Sequence, residues 1–460
     1  MMDTMLFREM LEIDSTSGRE RNLADFLAEK MKTDRNRLER FDVATMAEDV
    51  PEGCGLPQNL LFSWGVPEVL FCTHLDTVPP YILPTFESLA HEDASGTDDL
   101  SKKGMADTKD LPETEASRVL CDNGIVDIKV SGRGTCDAKG QIFAMWEACK
   151  ALETKGYDGF GLLLLAGEET GSFGAKIFNS LLSCAPSTSS PDSSTSSPTI
   201  SALSSTLSFM SGLSPVMSSE TETSPDLWVI VGEPTDNCMA TAAKGTKSFE
   251  VTFKGEAFHS GYPEHGASAV EMFGDFLNAL RSIRFPYDDI LGETTYNIGK
   301  LISDNPQNIL SPELKCRVYF RTTFESDQMV CNVMKNMAGP DAKLRFGRPK
   351  VQDGSDIVSK DVAPWQSSMS VKALGGDSPT KYETFEGFET KPVSFGSDAP
   401  QLTAIPHKIL CGPGSILVAH RPDEHILMSD IETAIGNYIR MAEQIISKCQ
   451  HKKAGIRADG

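Results

Sequence analysis

Positive charge is scarce in this 460-residue chain: Lys and Arg number 43 against 65 Asp and Glu, a formal net charge of −22. So negative a surface repels phosphate backbones and anionic lipids, which argues against nucleic acid and membrane surfaces as partners. No apolar run approaches the length needed to span a bilayer. The N-terminus begins Met-Met-Asp-Thr-Met-Leu and lacks the basic start, apolar stretch and small-residue cleavage site of a signal peptide. The eleven cysteines form no CxxC pair and are scattered through apolar segments, as reduced thiols are in a cytoplasmic protein. Together these absences predict an acidic, soluble, cytoplasmic chain.

Hydrophobic residues at 40% and charged residues at 23% are ordinary globular values, and the length suggests two or three domain-sized units. Near the N-terminus, apolar residues at helical spacing predict two short helices within residues 4–32, split by a Ser-Thr-Ser-Gly turn. Three apolar runs read as buried strands: Glu68–Cys72, Gly161–Ala166 and Asp226–Val231, with a helix over Ala144–Leu152. Strands alternating with helices imply a mostly parallel sheet covered on both faces, the α/β class. Ligands bind such sheets at the carboxyl ends of the strands. Each of the three runs ends in a histidine or carboxylates.

Two stretches break this rhythm. Residues 88–118 are polar and read as a long surface loop. Residues 183–225 are rich in Ser, Thr and Pro, contain no Lys or Arg, and are expected to be disordered. From Lys247 a strand (Ser248–Phe253), a helix (Ala267–Ile283), two strands (Thr295–Ile302 and Glu313–Phe320), a helix (Gln328–Met337) and a strand (Lys343–Phe346) are predicted. This β-α-β-β-α-β order predicts a smaller α+β domain over 246–350, inserted into a catalytic domain formed by 1–245 and 351–460. The large domain is expected to close with a strand at Ile409–Cys411 and a helix at Ser429–Ser447.

His74, Asp76, Asp137, Glu168, Glu169, Glu233 and His420 fall nearly all at strand-to-loop junctions. Histidine nitrogens and carboxylate oxygens are the donors that hold divalent zinc, and paired sites usually share one carboxylate. Singly each residue has an ordinary explanation. A His-x-Asp pair can be a surface hydrogen bond, adjacent glutamates a solvated loop, Asp137 a helix cap and Glu233-Pro234 a turn. Coincidence must instead explain the whole ordered set.

That set resembles a known family. The motifs are Thr73-His74-Leu75-Asp76-Thr77-Val78-Pro79, Gly132-Arg133-Gly134-Thr135-Cys136-Asp137-Ala138-Lys139-Gly140, Gly167-Glu168-Glu169-Thr170 and Gly232-Glu233-Pro234-Thr235. His259-Ser260-Gly261 and Gly412-Pro413-Gly414-Ser415 through Ala419-His420 complete them. They resemble the co-catalytic zinc aminoacylases and exopeptidases, a family that includes acetylornithine deacetylase, succinyl-diaminopimelate desuccinylase, aminoacylase and glutamate carboxypeptidase. The resemblance covers nearly all of the chain except 88–118 and 183–225.

The resemblance implies two divalent metal ions, zinc or else cobalt. His74 and Glu233 would bind one, Glu169 and His420 the other, and Asp137 both. Asp76 would hold the far nitrogen of His74 through its carboxylate, and Glu168 would be the general base. His259, in the inserted lid or dimerisation domain, would stabilise the oxyanion, commonly from a partner subunit of a homodimer. Asn308 and Arg321 would hold the substrate carboxylate, although the family's acidic residue two before that arginine is Tyr319 here. The run Gly412–Glu424 most resembles acetylornithine deacetylase. The leading expectation is therefore hydrolysis of a small-molecule N-acyl amino acid. A dipeptidase or carboxypeptidase is the alternative sharing every ligand, and a silent metal-binding scaffold is disfavoured because it has no use for Glu168.

Overall fold

The computed structural model describes residues 2–46, 50–89, 120–121, 124–125, 127–183, 226–338 and 369–458. The chain forms two units, the first comprising Met1–Thr241, Tyr382–Lys391 and Ser397–Gly460. Its centre is a six-stranded sheet in the order Arg37–Asp42, Gln58–Trp64, Phe160–Leu165, Val69–His74, Trp228–Val231 and His407–Leu410. The last four run parallel, while Gln58–Trp64 and Arg37–Asp42 are added antiparallel at one edge. Val69–His74, Phe160–Leu165 and Trp228–Val231 are buried along their whole length, as strands covered on both faces must be.

Helices Thr4–Leu11, Lys139–Thr154 and Met428–Ala458 pack together in the main core, where Phe7 stacks on Phe143 with ring centroids 4.9 Å apart. A separate cluster of Val43, Met46 and Ala166 packs against Phe173 and Ile177. The strand Gln58–Trp64 had no place in the sequence reading, although its Leu-Leu-Phe run carried the signal. Thr85–Leu89 is a strand paired with Asp127–Ser131, so Ser88 and Leu89, expected in a loop, are in a strand instead. The remaining residues to 118 lie outside the described residues; of the stretch 183–225 expected to be disordered, Ser183 ends the helix Phe173–Ser183 and 184–225 lie outside them too. Among the described residues no helix is long and apolar enough to cross a membrane.

The second unit comprises Ala242–Lys381 and Pro392–Gly396. Its antiparallel sheet runs Thr295–Ile302, Glu313–Thr322, Gly245–Lys254, Met369–Gly375. Alternate residues Leu314, Cys316, Val318 and Phe320 turn inward with Phe249, Val251 and Phe253. The helices Ala269–Ser282 and Asp327–Met337 cover that apolar face with Met272, Phe276, Leu280, Val330 and Met334.

Lys343–Phe346, expected as the last strand of this domain, lies outside the described residues, and Met369–Gly375 pairs with Gly245–Lys254. The unit therefore extends to Lys381 rather than ending at 350. The physical reason is that an edge strand needs little apolar surface. Of Met369–Gly375 only Met369 is buried, with Val371 packed against the core from its side.

Candidate metal centre

Seven of the candidate residues belong to the first unit, and the sheet brings them together. His74 is the last residue of its strand and is 1% exposed. Its Nδ1 lies 2.8 Å from the backbone carbonyl of Asp76, which fixes a proton on that nitrogen and turns Nε2 toward Asp137. The Asp76 carboxylate is 3.6 Å from the same nitrogen, beyond hydrogen-bond range. The expected carboxylate–histidine hydrogen bond is thus a carbonyl–histidine one. The Asp76 carboxylate is turned instead toward the start of the next turn. Asp76 Oδ1 accepts the Glu168 N–H at 3.0 Å, and Oδ2 accepts the Glu169 N–H at 3.2 Å and the Ser17 hydroxyl at 2.8 Å.

Glu168 and Glu169 open a single helical turn, Glu168–Gly171, directly after the strand Phe160–Leu165. Gly167 precedes them at φ 73°, and a Cβ there would come within 2.5 Å of Met46 Sδ, so glycine is required at this turn. Asp137 follows the loop Gly132–Cys136 and is 6% exposed. Its Oδ1 lies 2.9 Å from His74 Nε2 and its Oδ2 lies 3.2 Å from His420 Nε2. His420 Nε2 also meets Glu169 Oε1 at 2.9 Å. His420 sits in the left-handed region at φ 63°, a conformation costing a non-glycine residue about 1–2 kcal/mol. Glu233, two residues past the strand Trp228–Val231, is buried beside His74 and Asp137.

The donor atoms fall into overlapping groups, each within 4.8 Å: His74, Asp137 and Glu233; Asp137, Glu169 and His420; and His74, Glu168 and Glu169. The chemistry of this set fits divalent cations, since two imidazole nitrogens and three carboxylates, the donor types that hold zinc, converge within reach of one another. Burial holds Glu233 and Glu168 well above the usual carboxylate range, only partly opposed by His74. Burial opposes ionisation of Asp137 too, but hydrogen bonds with His420 and His74 prevail and its pKa falls. Hydrogen bonds to Asp137 and Glu169 push His420 up to about 10. Burial opposes a charge on His74, yet the Asp137 carboxylate and its neighbours hold it well above the usual imidazole value.

Other buried acids also surround the centre. Burial pushes Asp398 up to about 7, and Glu20, fully enclosed behind Asp76, up to about 8. Neither figured in the sequence reading, because a lone acid in Gly396-Ser397-Asp398 or Ser17-Gly18-Arg19-Glu20 resembles any turn. The three remaining candidates belong to the second unit. His259 is exposed, its Nδ1 accepting the Gly261 N–H at 3.0 Å and its backbone bridging to Ile309, next to Asn308. Arg321 is half-buried near the end of Glu313–Thr322, with its guanidinium 5.1 Å from the centre of the Tyr319 ring. Tyr319 therefore supports the arginine through its π face, where the family pattern has an acid.

Residues 241–340 match the family model of the peptidase dimerisation domain. A "probable carboxypeptidase" of Aspergillus niger is 26% identical, over 96% of this chain and 89% of its own length. Along its length the chain is thus similar to proteins named as carboxypeptidases, and over residues 241–340 to a peptidase dimerisation domain. Solved peptidase structures share its fold. The aminopeptidase PepT of Bacillus cereus superposes with a TM-score of 0.58 at 17% identity, covering 96% of this chain and 98% of that one. The di-peptidase Dug1p of Saccharomyces cerevisiae gives 0.56 at 12% identity, covering 97% and 95%. The YXEP protein of Bacillus subtilis, described as a dinuclear metal-binding peptidase of the M20 family, gives 0.52 at 11%, covering 97% of both chains.

Proposed function

We propose that this chain is a dinuclear metallopeptidase that hydrolyses the amide bond next to a free carboxylate, as a carboxypeptidase or dipeptidase does. Asp137 carries the reading: its two oxygens face two different histidines, so one carboxylate is shared by two donor sets. His74, Asp137 and Glu233 would hold one cation, and Asp137, Glu169 and His420 the other. Zinc suits this mixed nitrogen and oxygen set. Cations held there would supply a more acidic water and a polarised scissile carbonyl.

The rest falls to the protein. Glu168 takes the proton of the attacking water and passes it to the leaving nitrogen. Its backbone is held by Asp76, so its carboxylate stays aimed while Glu169 turns to His420. His259 accepts a hydrogen bond on Nδ1, which puts its ring proton on Nε2, where an oxyanion donor needs it. We assign it to the site of a second copy in a homodimer, a reading supported by the dimerisation-domain match. Arg321, stacked on Tyr319, and Asn308 would bind the substrate carboxylate.

The comparisons favour peptides over the N-acyl amino acids that the Gly412–Glu424 motif suggested, since the similar proteins are carboxypeptidases and peptidases by name. The deciding measurement is a hydrolysis screen of zinc-loaded protein against dipeptides, longer peptides with free or amidated C-termini, and N-acetylornithine. Free-carboxylate peptides should show kcat/KM at least about tenfold above N-acetylornithine, a gap of ~1.4 kcal/mol. The reverse ranking would reinstate the deacylase.

A further inference from the structure

Glu424 is fully buried, four residues beyond His420, and is part of no donor group at the centre. Its Oε1 accepts the backbone N–H groups of Cys136 at 3.1 Å and Asp137 at 3.2 Å. Its Oε2 pairs with Nη1 of Arg133, which is only 2% exposed. Arg133 is fixed in turn, its Nε donating to the Pro80 carbonyl at 3.3 Å and its backbone N–H to Ile82 at 3.1 Å. The Glu424 carbonyl accepts the Gly132 N–H at 2.9 Å, so the loop Gly132–Asp137 is gripped at both ends by one residue.

A charged acceptor for two neighbouring amide N–H groups is stronger than a neutral one, and the Arg133 guanidinium beside it offsets part of the cost of burying it. We infer that Glu424, clamped by Arg133, is a positioning residue that locks the Asp137 loop to the His420 loop. It thereby sets the spacing of the two cation positions that share Asp137. This inference rests on the reading of His74, Asp137, Glu169, Glu233 and His420 as metal ligands. Burial cannot account for the arrangement alone, because an apolar pair of similar volume would fill the space without fixing the Asp137 amide.

Glu424→Gln tests it. The amide can turn its oxygen either to the two N–H groups or to Arg133, so one half of the clamp is lost. Zinc binding is measured by chelator competition on the full chain, with thermal unfolding of the zinc-free protein alongside. Wild type should take up two ions. In Glu424→Gln one of the two should bind at least about tenfold more weakly, as for other residues that orient metal ligands. Arg133→Lys keeps the charge but not the fork, so it should weaken the same ion by about threefold and remains informative if Glu424→Gln does not fold. Affinities within about twofold of wild type in whichever variants fold, with or without a lower melting temperature, would overturn the positioning role. A wild-type chain that takes up no zinc would instead overturn the reading of the centre itself.

Discussion

Asp76 Oδ1 accepts the backbone N–H of Glu168 at 3.0 Å, and its Oδ2 accepts that of Glu169 at 3.2 Å. The proposed base and the proposed ligand beside it therefore share one carboxylate anchor, while His74 takes its tautomer from the Asp76 carbonyl. These two tasks separate in Asp76→Ala, which keeps the carbonyl and removes the carboxylate. Two N–H groups lose their acceptor, which should destabilise the fold by about 2 kcal/mol. The turnover number should fall at least about tenfold while zinc uptake stays near two ions per chain. Loss of zinc with unchanged turnover per bound ion would mean that the carboxylate serves the ligands Glu169 and His74 rather than the base.

Glu168→Gln addresses the base itself. The amide keeps the shape and leaves the Asp76 contact intact, because that contact is made by the backbone. It cannot accept the proton of the attacking water. A fall in turnover of at least about a hundredfold is expected, with zinc content unchanged. Near-normal turnover in a zinc-loaded variant would remove Glu168 from the role.

How much of this was legible in the sequence depended on how each residue acts. Residues that act through side-chain donors at strand ends stood out, because a buried apolar run that stops at His74, Glu168 or Glu233 is visible in one dimension. Glu424 and Ser17 act by accepting or donating across gaps of 287 and 59 residues, and no local pattern encodes such a partner. Asp76 shows the middle case. It stood out beside His74, yet the direction of its carboxylate depends on where the strand Phe160–Leu165 ends, parallel to its own. In the second unit the alternation in Glu313–Thr322 is strong because one face is fully buried. The edge strand Met369–Gly375 shows little of it, and the reading closed the domain too early.

The acid Glu20 gives the fold a pH dependence of predictable sign. Burial, reinforced by the charge of Asp76, lifts its pKa from 4.5 to about 8. Between these values the folded chain holds a proton that the unfolded chain has lost. Stability from this group is therefore intact below about pH 4.5 and falls as pH rises toward 8, by up to roughly 4 kcal/mol. Glu20→Gln removes the titration. Melting temperatures of the two proteins should diverge between pH 5 and 8, with the variant flatter and relatively more stable at the alkaline end. Parallel curves across that range would show that Glu20 stays ionised in the fold.

His259 offers the strongest test of the dimer reading. It belongs to the second unit, whereas Glu168 belongs to the first. If His259 serves the site of a partner subunit, every site takes its base from one chain and its oxyanion donor from the other. Glu168→Gln and His259→Ala homodimers then each lack one component at both sites, and both should be nearly inactive. A mixed dimer has one site with both wild-type residues and one site with neither. After subunit exchange about half the dimers are mixed and one site in each works, so activity should return to about a quarter of wild type per total chain. Native mass spectrometry would verify that the exchange took place. Exchange without recovery would show that His259 serves its own chain or has no part in the reaction. His259→Ala alone decides between those two, because only a catalytic donor lowers turnover while leaving zinc content and dimer mass unchanged.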